Sequence, residues 1–223
     1  MSRPDPDVHT EIMEATHDAL CTHGFTALTM QDIADECDKS KSLLHYHYDT
    51  KEELLVSFVE FLLESFEARV EEIEHLPPAA RLIEFLDWFV FDPEDSERAR
   101  FHLALLEFRS QGAFDDRYRD QLRRSDDLLR ETLEEIFEEG IEEGVFEPVD
   151  VPETAATIVA TIDGARTRQI TLDRSDYTPI ARDVIVDRLI EPVLAPGVSL
   201  PEPASDHGMD RPTDDPADSI VDR

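Results

Sequence analysis

The chain has 223 residues, 53 of them Asp or Glu against 21 Lys or Arg, which gives a formal net charge of -32 at pH 7. Apolar residues make up 40% of the chain, enough to bury a core, so a disordered acidic polymer is excluded. Cys21 and Cys37 are too few for a disulfide framework and point to a reducing cytoplasm, while the polar start and the interruption of the greasiest run, Leu54 to Leu63, by Glu60 exclude a secretion signal and a membrane span.

Glycine is scarce and apolar residues recur at three- and four-residue spacing, so the predicted class is all-α. A first helix runs from about Val8 to His23, with Val8, Ile12, Ala15, Ala19 and Leu20 on one face and Gly24 as its stop. Thr29, with Asp32 three residues on, caps a short second helix that buries Ile33, Ala34 and Cys37. Asp38 and Lys39 turn the chain, and Ser40 caps a third helix to about His47, with Leu43 and Leu44 inward. Of Tyr46 and Tyr48, one packs inward and one outward. Thr50-Lys51-Glu52-Glu53 reads as a capping box for a long helix to about His75, which Pro77-Pro78 ends. Further helices cover roughly 79–91, 96–111, 115–143, 152–172 and 179–194. From Ala195 to Arg223 the composition turns to Pro, Asp and Ser, an expected disordered tail.

Two short helices across a tight turn, preceded by a longer one, describe a helix-turn-helix whose second member enters the DNA major groove. Lysine supports this reading. It occurs only at 39, 41 and 51, so the stretch from Lys39 to Lys51 is locally positive although residues 1–51 hold four basic against ten acidic side chains. Elsewhere acidic residues dominate, and a compact state with such self-repulsion is favoured by concentrated salt, which points to a halophilic cytoplasm.

The run GFTALTMQDIADECDKSKSLLHYHYDTKEELL resembles the DNA-binding segment of the tetracycline-repressor-like (TetR) family of transcription regulators. Gly24, Phe25, Thr29, Ile33, Ala34, Ser40, Leu44, Lys51, Leu54 and Leu55 match in order and spacing, within a match from about Glu11 to Val56. The chain departs from the pattern at Asp38-Lys39, where the family has Gly-Val, and at His45, where it has Tyr. The resemblance implies a three-helix DNA-binding domain at 1–51 and a helical ligand-binding and dimerisation domain at 52–194, and the acidic excess points to a source among halophilic archaea. It implies DNA contacts from Thr29, Ser40, Lys41, Tyr46, His47 and Lys51. Ser42 and His45, on the same helix, join them; Lys41 and Ser42, early in that helix, suit base edges, and Lys51 suits a phosphate.

Beyond Pro77 the resemblance is one of architecture, with some similarity to betaine-type repressors around FHLALLEFRSQGAFDDRYRDQL and FEEGIEEGVFEP. The aromatics Phe85, Trp88, Phe89, Phe91, Phe101 and Phe108 are either core or the lining of an effector cavity, with His102, Arg109, Asp163 and Arg166 as polar partners. The helix holding Ile158, Val159 and Ile162, and the last one, holding Ile180, Val184, Ile185, Leu189 and Val193, are the expected dimer faces. The expected partners are a pseudo-palindromic duplex, a second copy and a small molecule that releases a repressor from its operator; no cofactor and no membrane are expected. His17, Cys21, His23, Cys37, His45 and His47 lack the spacing of a tetrahedral metal site. No nucleophile elbow, phosphate loop or His-carboxylate cluster points to an enzyme. The alternative is an acidic interaction protein that has lost DNA binding, against which the lysine placement argues.

Overall fold

The structure is a computed structural model, and it describes residues 6–37, 39–90 and 96–201. Among them the chain forms nine α-helices: α1 (Pro6–Ala27), α2 (Met30–Glu36), α3 (Lys41–His47), α4 (Lys51–Ile73), α5 (Pro78–Asp87), α6 (Ser96–Gln111), α7 (Asp116–Glu142), α8 (Val151–Leu172) and α9 (Tyr177–Ile185). A π-helical turn, Val186–Ile190, and a 3-10 turn, Glu191–Val193, continue α9. The only extended pairing among the described residues is an isolated bridge between Phe146 and Leu194. The all-α class is therefore the observed one. Phe91 and Asp38, invoked above as an aromatic and a turn residue, lie outside the described residues, as do 202–223 of the expected tail.

Local chemistry sets the first helices. Gly24 has φ 70 and ψ 166, a left-handed conformation that interrupts α1 three residues before its nominal end, as a glycine stop should. The Thr29 hydroxyl accepts from the Gln31 and Asp32 amides while the Asp32 carboxylate accepts from the Thr29 amide, a complete capping box. Ser40 Oγ accepts from the Leu43 amide and starts α3. At α4 the reciprocity shifts by one residue: Thr50 takes the Glu53 amide, but Glu53 reaches back to the Asp49 amide rather than to that of Thr50. Leu43 and Cys37, expected inward, are half-buried; Ile33, Ala34 and Leu44 are buried.

The described residues form two compact units, and the boundary between them falls inside α4 and inside α7. The first comprises 6–66 and 96–123. In it α1 packs on α2 and α6, and Ile12, Leu28, Ile33, Leu44, Leu54, Phe58 and Phe101 lose almost all contact with water. Each such side chain contributes about 1.5–3 kcal/mol of burial. The second unit comprises 67–90 and 124–201, with α8 on α9 and a core of Leu82, Phe85, Ile136, Phe137, Ile158, Ile185 and Ile190. Its α7–α8 connection is tied to the chain's later part: the Glu147 amide donates to the Val193 carbonyl at 2.7 Å and the Ala195 amide to the Val145 carbonyl at 2.9 Å. Of the tail expected from Ala195, the described part thus begins with a residue anchored by its backbone.

Candidate functional site

Helix α3 presents Lys41, Ser42, His45 and Tyr46 to solvent, at positions that share one face of a helix, while Leu44 is 0% exposed on the opposite side. Tyr46 is 67% exposed and packs its ring edge against the half-buried His47, with centroids 4.9 Å apart. Tyr48 is the inward tyrosine, 6% exposed, its hydroxyl 3.0 Å from His9 Nδ1 on α1. Backbone φ explains the division, since Tyr48 leaves the helix in an extended conformation and turns back toward the core. The exposed hydroxyls of Thr29 and Ser40 both serve as caps, and the Thr29 hydroxyl also donates to Asp32 Oδ2 at 2.7 Å.

The three lysines differ. Lys41 is exposed. Lys39 Nζ lies 2.6 Å from Glu11 Oε2 and ties the turn to α1. Lys51 is half-buried, and its ammonium donates to the Phe25 and Leu28 carbonyls at 3.3 and 2.9 Å, 5.4 Å from the centre of the Phe25 ring. The phosphate role suggested by sequence gives only part of its chemistry, because two of its three donors serve the backbone. From α6, Glu107 Oε2 accepts from the Thr26 amide at 3.0 Å and the Thr26 hydroxyl at 3.3 Å. A contact spanning 81 residues leaves no local signal in the sequence. Phe25 meets Phe108 and Tyr118 edge-on at 5.9 and 6.0 Å. Burial, and then the Glu52 carboxylate, push the Tyr118 phenol up to about 12.

His17 and Cys21 do approach each other, with Cys21 Sγ 3.8 Å from His17 Nε2, beneath a Phe101 ring centred 4.6 Å from the imidazole. Burial pushes the Cys37 thiol up, away from the reactive thiolate. No group of three or more His, Cys, Asp and Glu able to hold a metal occurs among the described residues.

Of the ten candidate pocket residues, the nine among the described residues divide between the units. Phe101, His102, Phe108 and Arg109 are on α6 in the first; Phe101 and Phe108 pack with Phe58, His17, Phe25 and Tyr118, and Arg109 is exposed. Phe85, Trp88, Phe89, Asp163 and Arg166 are in the second, where they do gather. The Phe85 ring lies 5.9 Å from Trp88 and 5.2 Å from Phe89, the Arg69 guanidinium sits 4.6 Å over Trp88, and Arg166 sits 5.6 Å over Phe89 while pairing with Asp163 at 2.5 Å. Beside them is a cavity of about 10 Å³, lined by Leu86, Phe89, Val90, Ile162, Ala165, Thr178, Ala181 and Arg182. That is room for about one water. A wider groove of about 700 Å³ runs between Ile83, the Arg182–Asp187 surface and residues 194–201. On the later helices Leu172, Ile180 and Val184 are large apolar side chains left in solvent, the last two four residues apart on α9; Ile185, by contrast, is buried.

A family model described as the C-terminal part of BetI-type transcriptional repressors matches residues 78–195, and one of the tetR family of bacterial regulatory proteins matches residues 12–58. No curated protein matches. Among solved structures, a TetR transcription regulator from Haloarcula marismortui is similar at 38% identity and a TM-score of 0.77, over 85% of this chain and 100% of that one. A putative transcriptional regulator from Saccharomonospora viridis, solved with choline, shares the fold at 20% identity and a TM-score of 0.73, over 85% and 99% of the two chains. FadR from Bacillus subtilis, solved with stearoyl-CoA, does so at 21% and 0.64, over 79% and 95%. No helix among the described residues is long and apolar enough to cross a membrane. With one family model spanning more than half of the chain and a 38%-identical relative matched along its whole length, the chain belongs to the TetR family of transcription regulators.

Proposed function

We propose that this regulator is a homodimeric repressor that leaves its operator when a small molecule binds. The observation that carries the reading is the α3 face: Lys41, Ser42, His45 and Tyr46 exposed together over a buried Leu44. In this reading α3 lies in the major groove, Lys41 and Ser42 reach base edges, Thr29, Ser40 and His47 adjoin the phosphates, and DNA contacts stay within 1–51. Effector and dimer contacts belong to 52–194. The exposed Ile180 and Val184 on α9, with Leu172 on α8, supply an apolar stripe for a second copy, so the operator is a pseudo-palindrome with half-sites about one helical turn or a small multiple apart.

The effector cavity is assigned to the Phe85, Trp88 and Phe89 cluster. Its aromatic faces already attract guanidinium groups, chemistry that a quaternary ammonium would share, which makes choline the first probe and an acyl-CoA the second. Binding opens a space that is now about 10 Å³, and the resulting shift separates the recognition helices from successive grooves. Regulators of this family are in general not enzymes, and no cofactor is invoked. The charge of -32, together with the Haloarcula relative, supports operation in a salt-rich cytoplasm.

Selection of duplexes from a random pool in concentrated potassium chloride, with light scattering on the same sample, tests this. The expected result is a dimer that enriches a pseudo-palindrome, and an Ile180→Glu/Val184→Glu variant that is monomeric and enriches none. Enrichment of no sequence by a folded wild-type protein would sink the DNA-binding reading; a wild-type monomer would sink the dimer.

A further inference from the structure

The turn between α1 and α2 is held from two sides by charged side chains that touch its main chain. Beyond the interruption at Gly24 the chain turns toward α2, and exposed carbonyls at such a helix end favour a cation as partner. Lys51, at the first position of α4, donates to the carbonyls of Phe25 and Leu28, one on each side of the end of α1 at Ala27. On the other side, Glu107 of α6 takes the Thr26 amide and hydroxyl with one oxygen. Phe25 and Leu28 are themselves buried, so the turn cannot shift without moving the core. The next residue after Leu28 is Thr29, whose capping box starts α2, and α2 is the helix against which α3 packs.

We propose that Lys51 and Glu107 are positioning residues for operator recognition: as a pair they fix the α1–α2 turn, and through it the angle at which α2 supports α3 on DNA. Lys51 thus acts through protein carbonyls rather than through a phosphate. Glu107, a negative charge in the unit that meets a polyanion, is retained for its hydrogen bonds and against its charge. This rests on the DNA-binding reading, and the two fail by different readouts below.

Two features separate positioning from the alternatives. A lysine that neutralises a phosphate contributes about one unit to the slope of log affinity against log salt, whereas a lysine that holds a turn contributes none. A carboxylate acting only by repulsion would, when removed, tighten binding to any duplex. A carboxylate holding the turn would, when removed, weaken the selected duplex alone.

The experiment measures full-length protein by fluorescence anisotropy against a duplex selected by the wild type and a scrambled duplex of the same length, across a potassium chloride series. Glu107→Ala is expected to weaken the selected duplex about tenfold, the scale of a lost hydrogen bond to a charged group, and the scrambled one by less than about twofold. Glu107→Gln loses the same charge but keeps an acceptor, and should stay within about threefold of wild type. Lys51→Met should weaken the selected duplex about tenfold with the salt slope unchanged, and the double variant should lose less than the product of the two. A slope reduced by about one in Lys51→Met, or tighter binding in both Glu107 variants, would overturn the proposal. Should Lys51→Met not fold, the Glu107 pair decides alone. Should no duplex be selected, the DNA-binding reading has failed, and amide hydrogen exchange of Thr26 tests the clamp without DNA: about tenfold faster exchange in Glu107→Ala supports it, and unchanged exchange overturns it.

Discussion

The helix-turn-helix and the aromatic cluster around α5 use charge in opposite ways. In the first, the Lys39–Glu11 pair links two side chains, but the side chains that shape the turns and helix starts are bound to main chain: Lys51 to two carbonyls, and Glu107, Asp32, Thr29 and Ser40 to amides. In the second, charged side chains are bound to one another and to rings. Arg81 pairs with Glu139, Arg182 with Asp87, Arg166 with Asp163 and Phe89, and Arg69 with Trp88. A charge committed to the backbone fixes the shape of a turn. A charge committed to another side chain can be traded for a ligand group at little cost in backbone geometry, which suits the effector role proposed for this region.

The sharpest way to break that comparison is to remove one partner from the α5 region. Arg182 Nε lies 2.5 Å from Asp87 Oδ1, the Arg182 side chain is 20% exposed, and the hydrogen bond it donates to Asp87 holds the guanidinium pKa above its ordinary value. Asp87→Ala leaves a largely desolvated cation whose remaining carboxylate, Asp183, is 3.6 Å from Nη1. A fully buried pair would lose about 3–5 kcal/mol; with residual exposure and a second partner the expected loss is about 2 kcal/mol. The double replacement Asp87→Leu/Arg182→Met should recover most of it, since an exchangeable pair can give way to apolar side chains. Urea melts in concentrated potassium chloride read both. An Asp87→Ala protein as stable as wild type would show that the pair carries little of the packing.

How far each region was legible follows from the same contrast. Caps are local: Thr29 with Asp32, Ser40 and Gly24 act within a few residues of their own position, so the residue types alone foretell them. Helical spacing likewise tells that Phe85, Phe101 and Phe108 are buried. It does not tell against which helix, and Phe101 and Phe108 belong with α1 and α4 rather than with the cluster of Phe85. Lys51 was visible as a functional position, but its partners lie 23 and 26 residues away, and only the folded chain brings their carbonyls within reach. The Arg182–Asp87 and Arg81–Glu139 pairs span 95 and 58 residues. In a chain with 53 acidic residues, any arginine has many candidate partners, and sequence offers no way to choose among them.

A smaller effect is expected in the helix-turn-helix. Thr29→Ala removes the hydroxyl that accepts from the Gln31 and Asp32 amides and should cost about 1 kcal/mol in the same melts. Because the cap is tied to backbone rather than to another charge, the loss should change little between moderate and concentrated salt, whereas that of Asp87→Ala should vary with it. Equal salt dependence in the two variants would erase the distinction between the regions.

The smallest effect is a pH dependence of that cap. The Thr29 hydroxyl, more than the Thr29 amide, holds the Asp32 carboxyl below its ordinary 3.8, with His23 and Lys41 adding to the shift and partial desolvation opposing it. A carboxyl with a lower pKa folded than unfolded adds stability that is complete above the unfolded value and is lost as pH falls through the folded one. Falling pH also protonates many other carboxylates of this chain, so the wild-type curve alone cannot isolate Asp32. The difference between wild type and Asp32→Asn can. It should be constant well above the ordinary value of 3.8 and shrink as pH falls below it, because a protonated Asp32 and an asparagine offer the Thr29 amide similar acceptors. Thermal melts of both proteins across that range measure it, in fixed potassium chloride so that screening does not change with the buffer. A difference that persists undiminished at the acid end would mean that Asp32 supports α2 by packing rather than by its charge.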